Sequence, residues 1–415
     1  MSSNKLTLIV FLLFNFSLFS QSVEERSLLF RYDFVFADQP NQFFTIRQNV
    51  SNTQSLYRLF SRKSKTDLSS LTNFFVQATT LLTVIIPLEQ SGSYRAVLTY
   101  NKIASTYQPF SLSNIPEPSI VGVSDKQLSS LKENTNQFIR LYTAGIESNY
   151  IWLNKMEENL FFRYEDIQNV KYDYIFRKVL TYSYHLPSLL SGLSSSFTNN
   201  GTELEQRITN INIYSYAKNI FNDTIRFKRN VDYSDLTSNE KSYLSRVAYF
   251  SFINLVSNFA LGIKSIRLNS STEMAFSLSQ LLSPLGEIYN QDFWFRNTNG
   301  LKAKVTFREI INDKSIFPGI SLALYDLNLS NKIKFDWSAN LWSQPEHLSF
   351  KDRSGSLGGA SEIGLHYQTK PRKASNIKRI DFDLNALYKS QGFLPGILNL
   401  DESLILSAGL SISIL

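Results

Sequence analysis

The sequence predicts an α+β protein. A C-terminal antiparallel β-meander, read as a transmembrane β-barrel of about eight or more strands, carries a helical lobe inserted after N-terminal strands. Three observations carry that prediction. Residues 287–415 alternate apolar and polar side chains with a period of two, residues 119–286 repeat apolar side chains at helical spacing, and residues 1–20 form an apolar leader.

The leader comes first. Lys5 precedes an apolar run from Leu6 that reaches Phe19 and is interrupted by Asn15 and Ser17. It is shorter than the roughly 20 apolar residues a spanning helix needs. It reads as a secretory signal peptide cut after Ser20, which puts the mature chain outside the cytoplasm from about Gln21 onward. The 415 residues contain no cysteine and three histidines. That excludes a disulfide framework, thiolate metal sites, a cysteine nucleophile and a lipidated cysteine, and an exported chain of this kind fits a bacterial envelope. A mean hydropathy of -0.15 is too low for a bundle of spanning helices. The 42 Lys and Arg against 35 Asp and Glu give a net charge of +7 that is dispersed. The short basic runs Arg62-Lys63-Lys65 and Lys370-Arg372-Lys373 read as solvated loops, and no nucleic-acid partner is expected.

Residues 21–118 read as a mixed β region. Phe30, Tyr32, Phe34 and Phe36 alternate with Arg31 and Asp33, Leu68–Ile86 suggests a helix running into a strand, and the β-branched and aromatic stretch Tyr94–Tyr107 reads as extended, before Pro116-Glu117-Pro118 ends the region. Residues 119–286 read as a lobe of about three to five helices. Ser124-Asp125-Lys126 leads into Leu128, Leu131, Phe138 and Leu141, and Thr237 with Glu240 has the spacing of a capping box. Val247–Ile263 reads as one buried helix, because Ser251, Asn254, Ser257 and Asn258 break its apolar run.

In residues 287–415 the strands can be counted. Ile333, Phe335, Trp337, Ala339 and Leu341 alternate with Lys334, Asp336, Ser338 and Asn340. Ile380, Phe382, Leu384, Ala386 and Tyr388 alternate with Arg379, Asp381, Asp383, Asn385 and Lys389, with Leu387 the exception. Leu404, Leu406, Ala408, Leu410, Ile412 and Ile414 alternate with Ser403, Ser407, Gly409, Ser411 and Ser413. Weaker copies run through Ala303–Phe307 and Leu357–Tyr367, and Ile320–Leu329 is apolar on both faces. About six strands of roughly 9 to 13 residues exceed the usual strand length and match a tilted strand crossing a bilayer. Short turns are expected near 297–300, 330–332 and 370–376, and longer loops near 312–318, 343–354 and 391–401, the asymmetry of a membrane barrel. Trp337, Trp342, Tyr367 and Tyr388 suit headgroup belts. Alternation is blind to which face is inside, so a soluble barrel or sandwich has the same pattern. Strand length and the leader favour the membrane form.

Tyr388 to Gly396, followed by Leu400–Leu404 and Ser407–Ile412, resembles the closing hairpin of Gram-negative outer-membrane β-barrel proteins. The resemblance covers the last stretch in detail and the earlier strands in style. It implies a location in the cell outer membrane, contact with its lipids and dependence on the barrel-assembly machinery. Such barrels usually finish on an aromatic residue, whereas this chain reads Ile414-Leu415.

No phosphate-binding, dinucleotide-binding, zinc-protease or nucleophile-elbow motif is present, and no cofactor is expected. His366, on the polar face of its strand near Glu362 with Ser356 and Ser361, is a candidate base. His185, beside Pro187, is a second, and His347 is a loop residue without an evident partner. Asp381 and Asp383 share one strand face about 7 Å apart, a spacing open to a cation or to a mixed-charge wall. The leading expectation is an outer-membrane protein with a structural, lipid-related or narrow transport role. The alternatives are a barrel-embedded hydrolase acting on lipid and a secreted soluble periplasmic binding protein.

Overall fold

The computed structural model describes residues 30–38, 45–65, 70–107, 121–189, 203–204, 208, 212–222, 226–369 and 377–414. The leader, Pro116–Pro118 and the basic run at 370–373 lie outside them. β1 (Phe30–Asp38) is followed by helices where a mixed β region was expected: α1 (Ile46–Lys65), α2 (Ser70–Thr80), a π-turn at Leu81–Ile85 and α3 (Ile86–Tyr100). The stretch to Ile86 therefore passes from helix to helix, and Tyr94–Tyr100 is helical too. Burial is the reason. Ile46, Val50, Thr53, Tyr57 and Ser61 recur at helical spacing and bury one face of α1. Packing of Leu81, Ile85, Ile86, Ala96 and Val97 overrides the weak helix propensity of Thr83-Val84-Ile85-Ile86. β2 (Thr106–Tyr107) and β3 (Val121–Gly122) form a separate short ladder.

The helical lobe continues with α4 (Asp125–Lys132), which opens on a Ser124–Gln127 capping box. α5 (Thr135–Phe161), α6 (Ile167–Ser183) and α7 (Asn212–Phe221) follow, then α8 (Ser238–Phe250), which opens on the expected Thr237–Glu240 box. The 27 residues of α5 are buried round most of the helix, because it lies between its neighbouring helices and the sheet. The helix expected over Val247–Ile263 stops at Phe250 and gives way to a 3-10 turn at Ser251–Leu255. The polar residues that interrupt that run have a different task. Asn254 and Asn258 accept, through Oδ1, the backbone N–H groups of Gln280 (2.7 Å) and Phe276 (3.0 Å), lining the edge of the first long strand of the sheet.

That sheet contains β4 (Ile266–Arg267), β5 (Thr272–Ser283), β6 (Gly286–Asn297), β7 (Lys302–Ile311), β8 (Ile316–Asn328), β9 (Ile333–Pro345), β10 (Gly355–Gln368), β11 (Ile377–Lys389) and β12 (Ser403–Ile414). β1 pairs with β12, giving ten antiparallel strands in the order β1-β12-β11-β10-β9-β8-β7-β6-β5-β4. The fold is α+β. Every strand read from the C-terminal alternation is present, and β5 and β6 add a hairpin that straddles the expected lobe boundary at residue 286. β8 starts at Ile316, so the long loop expected over 312–318 is a tight connection in which Asn312 Oδ1 accepts from Lys314 and Ser315 N–H.

The sheet is open. β1 is one edge and β4 the other, with helices standing between them. α1 lies along the free edge of β1, where Asn52 accepts from Val35 N (2.8 Å) and donates to Val35 O (2.9 Å), and the Ser51 and Ser55 hydroxyls donate to Asp33 O. α6 packs on α1 and on the Ser251–Leu255 turn, and that turn packs on β5.

The structure fixes which face is which. Leu357 is 89% exposed, Leu341 66%, Leu404 62% and Leu384 61%, whereas Asp381, Asp383, His366, Ser411 and Ser413 on the alternate positions are buried. On these strands the alternating apolar row points away from the helices, and the sheet's inner face carries the polar row together with buried apolar side chains such as Ile288, Ile310 and Trp294. Leu387 breaks the polar alternation of β11 because it packs with Trp342, Ala360, Ile397 and Ile405 in an apolar inner layer. Trp342 thus faces inward and not toward a headgroup belt, while Tyr367 and Tyr388 are half exposed on the outer face.

Candidate functional site

Between the inner face of the sheet and helices α1 and α5 is a chamber of about 440 Å³. Its floor is built by register. On β10 and β11 His366 lies opposite Asp383, on β11 and β12 Asp381 lies opposite Ser411, and on β12 and β1 Ser411 lies opposite Asp33. The period of two points all of these inward.

His366 is the centre of this array. Its Nδ1 is 2.6 Å from Asp383 Oδ1 and its Nε2 is 3.0 Å from Asp336 Oδ2. Ser411 Oγ reaches Asp383 Oδ2 at 2.5 Å and Asp33 Oδ1 at 2.8 Å, and Asp33 accepts from Arg31 Nε at 2.8 Å. A chain Asp336–His366–Asp383–Ser411–Asp33–Arg31 therefore crosses five strands. With Asp383 on Nδ1 and Asp336 beside Nε2, neither ring nitrogen holds a serine hydroxyl among the described residues.

The other expected partners of His366 are elsewhere. Glu362 sits on the same face but pairs with Arg47 Nη1 at 3.0 Å. Ser361 points the other way and donates to Ser338 O, and Ser356 is ten residues up the strand, about 33 Å away at ~3.3 Å per residue. Asp381 and Asp383 do share the inner face, but Asp381 is taken by Arg379 at 2.8 Å and Asp383 by His366. Among the described residues no group of three or more His, Asp or Glu could hold a metal ion. His185 lies outside the chamber, fully buried after α6, with no hydrogen-bond partner for either ring nitrogen, and burial pushes its pKa down to about 3. His347 is exposed on a loop, 3.5 Å from Asp352.

The chamber's basic groups went unread in the sequence. Arg47 and Arg58 come from α1, Lys155 from α5, Arg31 from β1 and Arg308 from β7. Arg31 and Arg308 stand on the polar register of alternating strands, which was the available signal. Burial of α1 against β1 and β12 brings in Arg47, and no local pattern announces that.

One mouth of the chamber is closed by the connection from β11 to β12, which folds inward. Arg140, buried on α5, donates to Ile397 O (2.6 Å) and Leu394 O, while buried Glu147 takes the Arg140 guanidinium and the Gly396 N–H (2.7 Å). Gln137 donates to Leu398 O at 2.9 Å and Lys389 Nζ to Asp401 O at 2.7 Å. Leu394, Pro395 and Ile397 become chamber wall.

Comparison with protein-family models, with curated proteins and with solved structures finds no match.

Proposed function

We propose that this chain is an outer-membrane β-protein whose sheet faces lipid, whose barrel-like wall is completed by α1 and α6, and whose inner chamber binds or passes a small polar solute. One observation carries the reading: the outward positions of β7–β12 form a band of exposed apolar side chains, including Ile320, Leu341, Leu357, Leu384 and Leu404, on a face that a sheet in water would keep polar. A row of leucines half or more exposed on strands of 10 to 14 residues matches the span and chemistry of a bilayer core. An open sheet edge is not tolerated in hydrocarbon. The Asn52 amide on Val35 and the Asn254 and Asn258 contacts on β5 supply the missing partners at both edges. Hydrolysis of lipid is disfavoured, because the one inward histidine is locked between carboxylates and holds no serine.

Membrane fractionation followed by electrophoresis of unheated and boiled samples tests this. The expected result is recovery in the outer membrane with a mobility shift on boiling. Recovery in the soluble periplasm without detergent, and no shift, sinks it.

A further inference from the structure

We propose that the chamber takes a small organic carboxylate, its acid group on Arg308 and its aliphatic part against the inward-folded loop. This rests on the reading of the chamber as a solute compartment and gives that solute a chemistry. Five basic residues line the chamber, and four have a carboxylate within 4 Å: Arg31 has Asp33, Arg47 has Glu362, Arg58 has Glu165 and Lys155 has Glu158.

Arg308 has none. Its Nε donates to Asn290 Oδ1 at 2.9 Å and its guanidinium faces the Tyr150 phenol. The carboxylate that shares that neighbourhood, Asp292, is fully engaged by Lys304 (3.0 Å), Thr306 (2.5 Å) and Asn154 (2.8 Å). Asn290 is buried, and its Nδ2 has no hydrogen-bond partner among the described residues. A guanidinium thus stands on the chamber wall without an anion among the described residues, and the Asn290 amide behind it has an unused donor. A guanidinium fork matches a carboxylate through two parallel hydrogen bonds.

The rest of the cavity selects the remainder of the ligand. Ile151, Leu387, Leu394, Pro395 and Ile397 supply an aliphatic wall at the loop end. One uncompensated cation matches one negative charge, so a monocarboxylate with a short aliphatic chain fits better than a phosphate, which carries about two.

The test is calorimetric titration of the purified full chain with sodium butyrate, n-butylamine and inorganic phosphate. Butyrate is expected to bind and butylamine to be ignored. Arg308→Gln should weaken butyrate binding tenfold or more, and Lys314→Gln, on an exposed pair with Asp313, should leave it unchanged. If Arg308→Gln does not fold, Arg308→Lys decides, since it keeps the charge and loses the fork, and its affinity should fall severalfold. No heat with butyrate, unchanged affinity in the Arg308 variants, or tighter binding of phosphate than of butyrate overturns the proposal. A protein that binds butyrate yet fractionates as soluble refutes only the membrane reading, and a membrane-located protein that ignores butyrate refutes only this one.

Discussion

The side-chain amide of Asn52 does for Val35 what a neighbouring strand would do, accepting from its N–H at 2.8 Å and donating to its carbonyl at 2.9 Å. A helix residue here replaces a rung of the ladder at the point where the sheet stops. Asn52→Leu removes both hydrogen bonds and strands the Val35 N–H, while Val35 O keeps the Gln48 amide at 3.2 Å. The expected cost is about 1–3 kcal/mol, read as a lower denaturation temperature or loss of the boiling-dependent mobility shift. An unchanged transition would show that Asn52 does not hold the edge of β1.

The outward face gives the sharpest discrimination. Leu384 is exposed and its neighbour Asn385 points inward. In water, Leu384→Arg would shift stability by no more than about 0.5 kcal/mol. Facing the middle of a bilayer it should cost about 2–4 kcal/mol. Refolding into lipid vesicles under a urea gradient measures the difference, with Asn385→Gln as the inward control. A neutral Leu384→Arg would count against a lipid-facing surface.

A buried ion pair, Arg140 with Glu147, anchors the middle of the loop between β11 and β12. Removing Arg140 as Arg140→Met strands Glu147 without its guanidinium, an expected loss of about 3–5 kcal/mol, and the double variant with Glu147→Leu should recover most of it. Limited proteolysis within residues 390–402 should become fast in the single variant and stay fast in the double one, which relieves the stranded charge but restores no bond to Ile397 O, Leu394 O or the Gly396 N–H. Wild-type protection in both would mean that Lys389 and Gln137 hold the loop by themselves.

His366 separates architecture from catalysis. His366→Leu leaves Asp336 and Asp383 facing the cavity without the ring between them, so stability should fall while hydrolysis of lipid esters stays at the wild-type background. A hydrolysis rate that drops tenfold or more in a folded His366→Leu protein would reinstate an enzyme.

His185 sets an acid limit. Its folded pKa lies near 3 against an ordinary 6.5, so the unfolded chain binds the extra proton between those values. Stability from the neutral ring is complete above about pH 6.5 and is lost as pH falls toward 3, by about 1.4 kcal/mol per unit within that window. His185→Phe should flatten the decline between pH 6.5 and 4 in a series of thermal melts. Parallel curves for the two proteins would refute the assignment.

The strands were legible because a period of two survives in the residues themselves: Asp381, Asp383 and His366 were readable as sharing a polar face. Which side that face was on could not be read, since alternation is symmetric between water and lipid. The true partners of His366 depend on register across two hairpins, and Arg31 arrives from the far end of the chain. α1 is hard to read as a helix because its buried face includes Gln48, Thr53, Gln54 and Arg58, so the apolar stripe that marks a helix is thin there. The burial that makes α1 a helix is provided by β1 and α5, and no local window contains it.

The pairing of Phe30 with Ile414 joins the first described strand to the last. In folding terms this is a contact of near-maximal sequence separation, whose loop-closure entropy falls on a single late event. Until β12 has formed, β1 has no ladder partner, and the edge of β11 is equally bare. The helices α1 to α8 lie between those strands in the chain and pack on one another and on β1, so they can assemble before β12 and hold β1 at the place where β12 must dock. A ribosome-released chain would then wait with two exposed strand edges, on β1 and β11, and any factor that shields strand edges would act on them during that interval.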